Sequence, residues 1–335
     1  MERHGANWKT NIAQGAVGCP IELNDRQEQL ALEAAKAIGC PYAGVDLICS
    51  GDGEEFVLEV NGVPGWEGLQ KASSVDTTCE DFLISAWAAV PVFAKADKLA
   101  VGDLVLRARR ASSQYVKSNT NLGIILLLAP LAKAAPDPTP GPLRRRLHNV
   151  LKTLTVDDCR KAYTAIRETE PGGIGKLDKH DVRDEPAITL LEAMDLAKDR
   201  DSVALEYSSD YRITFTLGYP ALLKAREESR CWTDAVVQAH LTVLADVPDT
   251  LIARKLGREK AKEVSIMAKE TLDAGRPGSE DWKKAQANLD SYLREDHNHL
   301  NPGTTADLIT ASLFVLFIEK GYEEFLSEDV AAWQE

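Results

Sequence analysis

Residues Ser118–Ala132 read SNTNLGIILLLAPLA, and the class of fold turns on this stretch. Its apolar residues continue through LGIILLLAPLAKA at helical spacing, and Asn119 stands just before them as a helix-start residue. The uninterrupted part, IILLLAPLA, is too short to span a bilayer, so the stretch predicts a buried helix of a water-soluble domain. The same texture recurs in FLISAWAAVPVF at 82–93, ITLLEAMDLA at 188–197, AVVQAHLTVLA at 235–245 and LITASLFVLFIEKG at 308–321. Strand-like runs almost vanish after Trp66, which predicts a helical domain over 77–335. The plain interruption is APDPTPGP at Ala135–Pro142, where four prolines in eight residues forbid a helix and predict a loop between helices.

Upstream the rhythm is α/β. A helix is expected over Arg26–Ile38, followed by two short strands, AGVDLIC and EFVLEVN, joined through SGDGE, whose Gly-Asp-Gly centre makes a hairpin turn. Fold class is therefore mainly α, with a small α/β segment over 1–76. The 335 residues carry a formal net charge of −13, with an isoelectric point near 5.1. That balance excludes an extended nucleic-acid surface and favours small-molecule partners, phosphorylated ones included where arginines or a magnesium ion hold them locally. Six scattered cysteines, Cys19, Cys40, Cys49, Cys79, Cys159 and Cys231, show no zinc spacing and read as reduced thiols. MERHGANWKT has neither the apolar run nor the cleavage site of a signal peptide, so a cytoplasmic protein without membrane association is expected.

WKTN, AGVDLIC and FVLEVNGVPGWEGLQKASSVD follow one another in an order that resembles the closing segment of a RimK-type ATP-grasp ligase. The resemblance implies magnesium ligands at Asp46, Glu59 and Asn61, with Asn11 near phosphate or carboxylate; Glu59 and Asn61 share a strand face by the period of two. It covers only the last part of such a fold, without the lobe that supplies the adenine pocket, so ligase activity is not expected of this chain. Met1 falls where the family has an internal residue, as a truncation or a gene fusion would produce.

Four further strings are specific: SNTNLGIILLLAPLA, PGGIGKLDKHDVRDEPAITLLEAM at 171–194, VPDTLIARKLG at 247–257 and NPGTTADLITASLF at 301–314. Together they resemble the triphosphoribosyl-dephospho-CoA synthase family, in the branch that accompanies one-carbon cofactor biosynthesis. The resemblance implies joining ribose C1 of ATP to a hydroxyl of dephospho-CoA, or of a related cofactor precursor, with release of adenine. One departure is plain: the chain passes from SSVD straight to TTCEDF, where family members carry a loop of the type PKPGNVH that lines the pocket.

Read for their chemistry, the strings share a turn residue followed by a carboxylate at a helix start, among them Asp184 and Glu185 before a helix expected to open at Pro186. A capping role accounts for any one of them, and convergence of several on a single cleft would mark a Mg-ATP site. The candidates for acid-base or oxocarbenium-stabilising work are Asp181, Asp184 and Glu185. Asn119, Asn121, Arg183, Arg254, Asn301, Gly303 and Thr304 are candidates for nucleotide and phosphate, and Asp249 and Asp307 for magnesium. His180, His297 and His299 have suitable acidities but read first as surface residues. PGGIG lacks the GK[ST] ending of a phosphate loop, and RRRLH at Arg144–His148 reads as a solvated basic face. Two rival readings accompany transfer: a magnesium-dependent N-glycoside or phosphate-ester hydrolase, and a non-catalytic fusion remnant that dimerises through its helices.

Overall fold

The structure, a computed structural model, describes residues 2–4, 17–19, 23–37, 44–49, 54–61, 79–169, 180–229 and 231–321. The chain divides into two compact units, Met1–Ile84 and Ser85–Glu335. In the first, strands β1 (Glu2–His4) and β2 (Val17–Cys19) pair antiparallel. Helix α1 (Asp25–Ala37) lies against the antiparallel pair β3 (Gly44–Cys49) and β4 (Glu55–Asn61). Asn24 and Gln27 close the start of α1 reciprocally, Oδ1 of Asn24 accepting the Gln27 N–H at 2.9 Å and Oε1 of Gln27 accepting the Asn24 N–H at 3.1 Å. Gln27 then donates to Glu55 at 2.7 Å and ties the helix to β4. The expected helix and strand pair are both present; the SGDGE connection lies outside the described residues.

The second unit is helical. Helix α2 (Cys79–Phe93) carries the boundary between the units, and α3 (Val101–Ser113), α4 (Leu122–Ala134), α5 (Leu143–Lys152) and α6 (Val156–Thr169) follow. Then come α7 (Leu190–Ala197), α8 (Ser202–Ser208), a π-helical turn (Thr214–Gly218) and α9 (Tyr219–Glu228). The series ends with α10 (Trp232–Asp246), α11 (Thr250–Leu256), α12 (Arg258–Asp273), α13 (Glu280–Asn298) and α14 (Gly303–Lys320). Helix α4, apolar on nearly every side, is the centre, with α3, α5, α6, α8 and α14 packed around it. Leu104, Leu127, Leu131, Leu147, Leu190 and Val315 are among the fully buried residues of that core. A second cluster, built by α10 to α13, closes around Trp282, whose indole N–H donates to Gln238 at 2.7 Å.

A helix buried on all sides must satisfy its own backbone, and Pro130 inside α4 removes the N–H that would pair with the carbonyl of Leu126. The Tyr207 hydroxyl supplies the missing donor at 2.7 Å. Tyr211 donates to the neighbouring carbonyl of Leu127 at 2.9 Å. Two consecutive residues ending at the second of these tyrosines are left-handed, Asp210 at φ 52° and Tyr211 at φ 55°. Buried Glu206 accepts the N–H groups of Ile213 and Thr214, at 2.7 and 2.8 Å, at the entry to the π-helical turn. APDPTPGP is the loop between α4 and α5, as its prolines dictate.

One helix start differs from the reading of the sequence. Pro186 opens no helix. Helix α7 begins after Thr189, whose side chain takes the Glu192 N–H while Glu192 reaches back to the Thr189 N–H at 2.7 Å, a reciprocal cap stronger than a proline signal. PGGIG at 171–175 lies outside the described residues, as do Asn11 and the stretch after Asn61 up to 78.

Tyr207→Phe is expected to cost about 1–3 kcal/mol in chemical denaturation, because the Leu126 carbonyl stays buried without a donor. In a Pro130→Ala background the restored N–H takes over that carbonyl, so the same substitution should cost clearly less. Equal losses in both backgrounds would contradict the pairing.

Candidate functional site at converging helix starts

The site is built around Asp249, the buried residue that precedes α11. Oδ1 accepts the N–H groups of Leu251 at 2.8 Å and Ile252 at 3.0 Å, which caps α11. Oδ2 accepts both the N–H and the hydroxyl of Thr305, at 2.7 and 2.8 Å, which holds the first turn of α14. One carboxylate thus joins two helix starts. Gly303 permits the approach, since a side chain there would press on Leu251.

Asp307, one turn further along α14, reaches the start of α4. Its carboxylate lies where a Cβ on Gly123 would sit, and it accepts the N–H of Ile124. Two residues earlier, the N–H of Leu122 is taken by Asn119 Oδ1 at 3.2 Å. The start of α8 completes the arrangement. Asp201 caps it through the Val203 N–H at 2.8 Å and pairs with Arg254 of α11. The Ser202 N–H donates to Thr250 Oγ1 at 3.2 Å. The amino ends of α4, α8, α11 and α14 therefore meet around Asp201, Asp249, Asp307 and Arg254.

The electrostatics follow from crowding. Burial pushes the Asp307 carboxyl well above the ordinary carboxylate range, the nearby charges of Asp249 and Asp201 push it further, and Arg254 with the Ile124 N–H pulls it back. Burial raises Asp249 as well, against the bonds from Thr305, Ile252 and Leu251 that favour its ionised form.

Of the residues singled out in the sequence, Asn119, Arg254, Gly303, Asp249 and Asp307 come together here. Thr304 is buried in the first turn of α14, and Asn301 is exposed just before it. Asn121 precedes α4 but turns into the core, where its amide donates to Ser112 Oγ at 2.9 Å. Asp181, Asp184, Glu185 and Arg183 form a separate group on the loop before α7. Arg183 donates its N–H to Asp181 at 3.0 Å and its guanidinium at 3.3 Å. Glu185 pairs with Arg160 of α6, whose neighbours Tyr163 and Arg167 donate to the carbonyls of His180 at 2.9 Å and Val182 at 2.7 Å. In the first unit the register sets Asp46 opposite Glu59 and Gly44 opposite Asn61, with an irregularity after Asp46. Asp201 and Thr305 were missed from the sequence; Asp201 is a good cap residue before an apolar run, but the seven-residue helix it opens is too short for a periodic signal.

The group does not by itself suit a magnesium ion. Asp249 has both oxygens occupied by four donors, and among the described residues no three Asp, Glu, His or Cys side chains gather closely enough to hold a metal. The acids here serve helix starts first.

Fold and site together define an all-helical domain with a polar centre of gathered helix starts, carboxylates and one arginine. A profile of the family described as ATP:dephospho-CoA triphosphoribosyl transferase matches residues 57–325. The chain belongs to that family. A crystal structure described as a triphosphoribosyl-dephospho-CoA synthase from Archaeoglobus fulgidus is 29% identical, over 71% of this chain and 99% of that one, with a TM-score of 0.57. Residues 1–84 match the RimK-like ATP-grasp domain. Tetrahydromethanopterin:alpha-L-glutamate ligase of Methanocaldococcus jannaschii is 51% identical over 72 residues, which cover 22% of this chain and 24% of that protein. The ligase of the same name from Methanococcus maripaludis is 45% identical over 76 residues, 23% of this chain and 26% of that one. The chain spans about a quarter of the length of these curated relatives.

Two substitutions should move stability in opposite directions. Asp249→Ala leaves the donors of two helix starts buried without acceptors and is expected to cost about 2–4 kcal/mol. Asp307→Asn keeps an acceptor for Ile124 and removes a crowded charge, so it should stabilise by on the order of 1 kcal/mol at neutral pH. The folded state holds the proton of Asp307 more tightly than the unfolded chain does, so ionisation is what costs stability. The gain from Asp307→Asn should therefore be small in acid, grow as pH rises through the folded pKa and then level off. Denaturation curves from acid to neutral pH check the sign.

Proposed function

We propose that the helical unit transfers the triphosphoribosyl group of ATP to a hydroxyl of dephospho-CoA or a related cofactor precursor. Family membership supports the reaction class, and the meeting of four helix starts around Arg254 and Asp307 carries the assignment of the place. In the reaction the bond between ribose C1 and adenine N9 breaks and its electron pair leaves with adenine. The acceptor oxygen bonds to C1, and the acceptor proton is balanced by the one that adenine takes up. The triphosphate stays on the ribose.

The charges at the site suit those demands. Arg254 offers guanidinium N–H groups to phosphate oxygens. A carboxylate near C1 stabilises the oxocarbenium-like ribose as adenine departs. Asp307 is our choice for moving the proton, because it stands in the cluster at the start of α4 and burial among neighbouring acids raises its hold on a proton. Asp181 and Glu185 are each engaged by an arginine within or beside their loop, and we assign that loop, with exposed Asp184, to the acceptor side. Magnesium reaches the site in this reading with the triphosphate of the substrate.

Chromatography of a reaction with ATP, magnesium and dephospho-CoA should show free adenine and a triphosphoribosyl adduct in equal amounts. ADP as the product would contradict transfer. Adenine released without the acceptor would establish hydrolysis, and no consumption of ATP would leave a domain that folds without catalysing.

A further inference from the structure

Asp201 makes two separate contacts, and only one of them is needed to begin a helix. Oδ1 takes the Val203 N–H, the ordinary work of a cap, which Ser, Thr or Asn performs as well. Oδ2 goes to Nη1 of Arg254 on a different helix, and that contact calls for a carboxylate. The two side chains are 28% and 23% exposed, so the pair sits at the rim of the cluster, within reach of a ligand and partly screened from water. The backbone beneath is fixed as well, because the Ser202 N–H bonds to Thr250 Oγ1 and Asp249 anchors the start of the helix that carries Arg254.

The three acids of the cluster do not stand alike toward Arg254. Asp249 is committed to Leu251, Ile252 and Thr305, and Asp307 accepts the Ile124 N–H. Among the described residues Asp201 is the acid in hydrogen-bond contact with the guanidinium, and none of them partners its buried Nε. A guanidinium offers five N–H donors in a rigid plane, so an acid holding one edge sets the direction in which the others face.

We propose that Asp201 is a positioning residue for ATP, its second oxygen holding the Arg254 guanidinium at the rim of the helix-start cluster so that it meets the polyphosphate already oriented. The proposal rests on the transfer reading for its ligand. Asp201 touches no reacting atom; it acts through Arg254.

The test is a double-mutant cycle read by calorimetric titration with ATP in the presence of magnesium, using the full chain as wild type, D201N, R254A and both together. Asn keeps the cap, so D201N should melt close to the wild type, while ATP binding weakens about tenfold, the effect of one charge-assisted contact. R254A should weaken ATP at least as much, and adding D201N to R254A should change the affinity no further. D201S, another good cap, should reproduce D201N, which guards against a defect peculiar to Asn. An unchanged affinity in D201N would overturn the proposal. So would an equal further loss in the R254A background, which would mark Asp201 as a cap alone, or a wild-type chain that binds no ATP. If the cycle comes out as expected but the wild type releases no adenine, the positioning role stands and the transfer reading falls.

Discussion

Buried helix starts need acceptors for their N–H groups, and in this protein one carboxylate, that of Asp249, answers for two of them. Everything around it follows from that constraint. Four helices begin in one place, and the acids that close them, Asp201, Asp249 and Asp307, crowd negative charge where water is scarce. Such crowding is costly unless a cation or a proton relieves it. The protein supplies both, Arg254 at the rim and a raised proton affinity at Asp307. A polar centre of this kind is a poor choice for stability alone, since an apolar core would serve better. Its presence inside an otherwise leucine-rich helical unit is the physical reason for placing the function there.

Much of this was legible in the sequence because the signals are local. VPDT before an apolar run marks a helix start, and Asp249 is found at one; the long apolar stretch of α4 and the two β-rich runs that form β3 and β4 were readable for the same reason. What could not be read is tertiary. Nothing in Leu126 or Pro130 announces Tyr207, eighty-one residues away from the carbonyl it completes. Asp201 escaped notice because its helix is too short to show a period, and its partner Arg254 lies fifty-three residues on. The helix start assigned to Pro186 failed for a different reason: two local signals competed within a few residues, and the reciprocal cap of Thr189 and Glu192 prevailed.

The first unit poses its own question. The RimK-like match ends at residue 84 and the transferase match begins at residue 57, so the two matches overlap over residues 57–84, from within β4 to within α2. The hairpin keeps the register that opposes Asp46 to Glu59, although the chain spans only about a quarter of the ligases it matches.

The claim at the centre is that the gathered helix starts hold the polyphosphate of ATP. A crystal structure of the full chain with ATP and magnesium tests it most directly. The account predicts the triphosphate within hydrogen-bond distance of Arg254 and against the first turn of α14, with ribose C1 on the side of Asp307. A nucleotide bound elsewhere, for example at the loop of Asp181 and Glu185 with Arg254 still paired to Asp201 alone, would contradict it.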